Sequence, residues 1–259
     1  MKPAIDYLEK CRGLIENAAA QEAAILKAAD WFAETILAER MVHLFASGHS
    51  RILVEEMWPR YGSFPGFNPM VELSLTYHHP VVGSNGQRQA MFLENVPGLA
   101  ERILRNFGLS TKDCALVISS SGTNVVPVEM AEGFRARGVK VVAIVSHRHS
   151  AATPSRRADG KKLQDFADLV LDTGAPVGDA MVSVPGLETP VSPGSTVGGC
   201  LLVNAIKAEV ALRLVRAGAA PKVLSAGAVV GAQRAAELFD AAYDEHSRRL
   251  AKLYEGVGK

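Results

Sequence analysis

Three nearly continuous apolar runs, the first two each followed by a pattern of helical spacing, constrain this fold more than any other feature of the chain. Met41–Ala46 runs into Ser47-Gly48-His49-Ser50, Cys114–Ile118 into Ser119-Ser120-Ser121-Gly122-Thr123-Asn124, and Lys140–Val145 is a third such run. A strand apolar on both faces must be covered on both, so these runs predict βα units of a parallel sheet sandwiched between helices. Ala167–Leu171 adds a shorter strand before Asp172.

Around that core the spacing predicts one or two long amphipathic helices over Asp6–Glu39, a helix through Ile52–Met57, and others near 97–106, 125–137, 198–217 and 231–254. The stretch 60–98, rich in Gly, Pro, Asn and His, reads as an excursion with one strand at Val71–Thr76, and 174–199 as a second Gly/Pro-rich loop. A single domain is expected over 1–259: N-terminal helices to residue 40, an α/β core over 41–215, and a C-terminal helix over 216–259.

Composition narrows the partners. With 48% hydrophobic and 21% charged residues the chain is ordinary globular protein, and a net charge of +1 favours neither nucleic acid nor an anionic membrane. No uncharged apolar run reaches a membrane span, the first residues lack a leader's apolar segment, and Cys11, Cys114 and Cys200 have the wide spacing of reduced thiols. A cytoplasmic protein is expected. The basic cluster Arg148–Arg157 reads as a solvated loop.

Parallel sheets place their ligands beyond the carboxyl ends of the strands, which is where both serine-rich turns fall. In 119–124 the small residues let backbone N–H groups approach an anion, the hydroxyls of Ser119, Ser121 and Thr123 add donors, and the following helix points its positive end there. Neither the P-loop lysine nor the glycines of a dinucleotide fingerprint are present, so no nucleotide cofactor is expected. The same residues also serve as ordinary turn and helix-cap chemistry, with Asn124 in the capping position.

Taken together, Val42–Arg51 and Val117–Asn124, with Gly138–Ile144 and Ala167–Asp172 behind them, resemble the SIS (sugar isomerase) family of phosphosugar-binding domains, nearest its phosphoheptose isomerase branch. The resemblance covers about residues 35–215. It implies a three-layer αβα sandwich on a five-stranded parallel, flavodoxin-like sheet. It also implies a phosphorylated sugar held by Ser50, Ser119, Ser121, Gly122, Thr123 and Asn124, and a homodimer or homotetramer.

Aldose–ketose isomerisation needs a base to move a proton between C1 and C2 and an acid to serve the two oxygens. The branch uses a Glu on the helix after the first turn, which here offers Glu55 and Glu56; successive helical residues point about 100° apart, and Glu55 is the expected base. Its other group is a His on the late helix, where this chain has none, so His49 in the first turn and His79, beside His78 in the excursion, are the candidates. Adjacent His residues on a strand would face opposite sides, and no metal site is expected. Two alternatives stay open: a non-catalytic sensor of sugar phosphates, and a deaminase or lyase acting on an amino-sugar phosphate.

Overall fold

The protein is described by a computed structural model covering residues 2–76, 86–255 and 257. The central sheet consists of β1 (Val42–Ala46), β2 (Phe67–Pro69), β3 (Cys114–Ile118), β4 (Lys140–Val145) and β5 (Leu169–Asp172), in the order β2-β1-β3-β4-β5 with every pair parallel. This is the flavodoxin-like order, and the chain reverses its winding between β1 and β3.

Alternation along the buried strands supplies two cores. Leu44, Leu116 and Ile144 point to one face, beneath α2 (Glu22–Leu37), α3 (Ile52–Met57) and α8 (Ser195–Arg216), where Phe32, Leu202 and Ile206 are fully buried. Phe45, Val117 and Ala143 point to the other, beneath α5 (Leu99–Leu104) and α6 (Val125–Ala136) with Phe134. Burying one such aromatic side chain contributes roughly 2–3 kcal/mol. Helices α1 (Pro3–Ala19), α4 (Gly86–Leu93), α7 (His147–Ala152), α9 (Gly227–Val230) and α10 (Ala232–Tyr254) complete the helical layers.

Ends of the sheet are closed differently. On the β5 side the Gln21 amide bonds both backbone groups of Asp172, accepting from its N–H at 2.7 Å and donating to its carbonyl at 2.8 Å. On the other side β2 is only three residues long and ends at Pro69.

Several expectations are corrected. The strand expected over Val71–Thr76 is a single 3-10 turn at Leu73–Leu75, because the Glu72 carboxylate accepts from the Ser74 N–H and curls the chain; the edge strand is Phe67–Pro69. The loop expected over 174–199 contains a small antiparallel pair, β6 (Ala180–Val182) and β7 (Val191–Pro193), and α8 starts earlier than its apolar pattern, at Ser195. Among the described residues no helix is long and apolar enough to cross a membrane.

A buried ion cluster ties three elements together at the amino ends of the strands. The Asp113 carboxylate receives Arg40 Nε at 2.7 Å and Nη2 at 2.8 Å, and His43 Nε2 lies 3.2 Å away. Burial would raise this carboxyl, but the contacts from His43, Arg40 and the Ser110 N–H outweigh it and hold Asp113 below the usual carboxylate range.

Candidate functional site

Strand register brings the two serine turns together. Ala46 pairs with Ile118, so the next residues, Ser47 and Ser119, leave adjacent strands side by side at the switch point. Both turns open into a cleft of about 590 Å³ whose lining includes His49, Ser50, Ser119, Ser121, Thr123 and Asn124. Of the expected cradle residues, only Gly122 is not in contact with it.

Gly122 shapes the turn instead. Its φ is +63°, and a Cβ there would stand 3.2 Å from Val145 Cγ1, so the position requires glycine. Within the turn, Ser119 Oγ accepts from the Gly122 N–H at 3.2 Å and Thr123 Oγ1 donates to Ser121 Oγ at 2.9 Å. Asn124 forms no side-chain cap on α6; its side chain lies close enough to the Glu94 carboxylate to stabilise its charged form. The capping role, one of two readings of this residue, is therefore not the one adopted. Ser120 Oγ, which the spacing did not single out, is buried in the cleft wall without a hydrogen-bond partner among the described residues.

Glu94 is the residue the motif analysis missed. It follows α4, is only 6% exposed, lines the cleft, and accepts from Ser47 Oγ at 2.7 Å. Burial raises its carboxyl above the usual range, against the opposing effects of Ser47, Asn124 and the Arg156 charge. Arg156 and His149, both read as parts of a solvated basic segment, also line the cleft; His149 Nδ1 accepts from the Gly178 N–H at 3.1 Å.

The expected catalytic set is not brought together. His49 is at the cleft, whereas Glu55 is exposed on α3, paired with Arg51 and outside the lining. His79 lies outside the described residues. Glu56 also points elsewhere, bonding Asn204 Nδ2 at 3.0 Å and Arg60 at 3.1 Å. Among the described residues no group of three His, Cys, Asp or Glu side chains could hold a metal ion.

Comparison with known proteins adds to this geometry. The SIS domain family model matches residues 6–146. A UPF0309 protein of Halalkalibacterium halodurans is 36% identical over 221 residues, spanning 85% of this chain and 89% of its own length. Another, of Listeria innocua, is 32% identical over 250 residues, spanning 96% and 94%. Among solved structures, a phosphoheptose isomerase from Neisseria gonorrhoeae superposes with a TM-score of 0.50 at 13% identity, covering 80% of this chain and 96% of that one, a likeness of fold.

Proposed function

The chain belongs to the SIS domain family, and from this premise we propose that it binds a phosphorylated sugar in the cleft between β1 and β3 and interconverts its aldose and ketose forms. What supports the reading is one observation: two serine turns from adjacent parallel strands open into a cleft that also holds a buried carboxyl with a raised pKa, Glu94. Such a carboxyl, held by burial above the usual range, is suited to exchanging a proton with a bound ligand.

In this proposal the phosphate sits against Ser50, Ser119, Ser121 and Thr123 at the start of α6, with Arg156 supplying the positive charge that the hydroxyls lack. Glu94 takes the C2 proton of the opened aldose and returns it to C1, while His49 carries a proton between the two oxygens, so the enediol forms and collapses without net change in protons. Glu94 thus takes the part expected of Glu55. Exposed Ile5, Leu8 and Ile15 along α1 offer a contact for the expected homodimer or homotetramer. Light scattering should return two or four times 27.6 kDa, and a monomer would remove that contact from the proposal.

Proton NMR in deuterated water, with a panel of hexose, heptose and amino-sugar phosphates, tests the activity. Loss of the C2 proton signal with ketose formation is expected. Broadened ligand lines without exchange would replace the isomerase by a sensor, and released ammonia or a cleaved ether would replace it by a deaminase or lyase. Ser121→Leu should weaken sugar-phosphate binding about 100-fold, equivalent to about 2.7 kcal/mol, while leaving the fold intact; unchanged affinity would remove the cradle.

A further inference from the structure

Asp179 stands at the rim of the cleft with φ at +70°, a backbone conformation that side chains other than glycine rarely adopt. That conformation turns its carboxylate onto the first turn of α8. Oδ1 accepts from the Ser195 N–H at 2.7 Å and the Gly194 N–H at 3.1 Å, and Oδ2 accepts from the Ser195 hydroxyl at 2.7 Å. Beyond them, Ser195 Oγ lies 3.5 Å from His49 Nε2, with Asp179 Oδ2 3.9 Å from the same nitrogen.

The order of these groups decides what they can do. A nucleophilic triad places the imidazole between carboxylate and hydroxyl, so that the ring withdraws the hydroxyl proton. Here the hydroxyl is in the middle and its only proton is committed to Asp179. Ser195 Oγ can offer His49 nothing but a lone pair, so Nε2 must be the donor. Ser195 is itself buried, which keeps water from competing for that position.

We propose that Asp179 and Ser195 are positioning residues that fix His49 in the cleft as its Nε2–H tautomer. The proposal rests on the cleft being the sugar-phosphate site, but its first test does not. In protein carrying ¹⁵N-histidine, ring-nitrogen correlations recorded at about pH 8.5, where ordinary imidazoles are neutral, report the tautomer of His49, assigned with His49→Gln. Wild type should show Nε2–H.

Asp179→Asn is the decisive variant. Asn tolerates left-handed backbone and its carbonyl oxygen still caps Gly194 and Ser195, but its amide donates where Oδ2 accepted. The Ser195 proton is then turned toward His49, and the ring should switch to Nδ1–H; Ser195→Ala should give a mixture. The same tautomer ratio in all three proteins would overturn the proposal, whatever the activity. With a substrate identified, Asp179→Asn should lower kcat 10- to 100-fold and leave KM within about twofold. A fall in kcat with an unmoved tautomer would also overturn it. A wild type that turns over no sugar phosphate, yet shows the tautomer switch, would instead reject the isomerase reading and retain the positioning pair.

Discussion

Under the proposed reaction, Glu94 sets stability against chemistry within one side chain. Because burial raises its carboxyl, the folded protein holds a proton that the unfolded chain has released over the window from the ordinary carboxylate value up to the raised one. Stability therefore falls as pH rises through that window. Glu94→Gln removes the titration, so its denaturation midpoint should stay flat there and equal or exceed wild type at neutral pH, while kcat falls by about 10²- to 10⁴-fold. Urea titrations across pH, beside turnover assays, check both. The serine hydroxyls were legible because they sit in a strand-turn-helix pattern of fixed spacing. Glu94 was not, since nothing in Leu93-Glu94-Asn95 marks it. Its character comes from burial in the cleft wall beside Ser47 and Asn124, which only folding brings about.

Two elements meet at distances that leave no tolerance. At Gly198, one turn into α8, a Cβ would stand 2.0 Å from the Thr173 carbonyl at the end of β5, and at Gly199 one would stand 2.4 Å from Leu53 Cδ1. Gly198→Ala should push the start of α8 off the sheet, costing about 1–3 kcal/mol and weakening ligand binding through Ser195; denaturation curves and affinities measured together would show the two losses. At the other end of the strands, Asp113 links the approach to β1 with the start of β3. Its depressed pKa contributes stability that is present above the ordinary carboxylate value and lost as pH falls through the folded one. Asp113→Ala should cost about 3–5 kcal/mol by leaving Arg40 and His43 facing an empty partner position, read as a drop in the urea midpoint. Strands buried on both faces were readable from composition alone. The edge strand Phe67–Pro69 was not, because its proline argues against a strand everywhere except at an edge.

For the molecule as a whole, a ligand that bridges β1, β3 and α6 binds only the folded state and must raise its melting temperature. At a concentration 100 times Kd, a sugar phosphate should add about 2.7 kcal/mol, whereas the same sugar without phosphate should add almost nothing; equal shifts from both would mean that the serine turns are not the anchor. The parallel architecture was legible, because alternating βα units leave few other ways to cover the strands. The closure of its margins was not, since it depends on a glutamine in a helical junction and a strand some 150 residues later. That closure has a consequence for the cell's protein traffic. By engaging the outward N–H and carbonyl of Asp172, the Gln21 amide acts as a one-residue counterfeit strand at the point where a stray extended peptide would otherwise begin to add. Gln21→Ala combined with Asn17→Ala, since the Asn17 side-chain amide also donates to the Asp172 carbonyl at 2.8 Å, would expose a template, and the expected harm is slow fibrous association at high concentration rather than a change at the cleft.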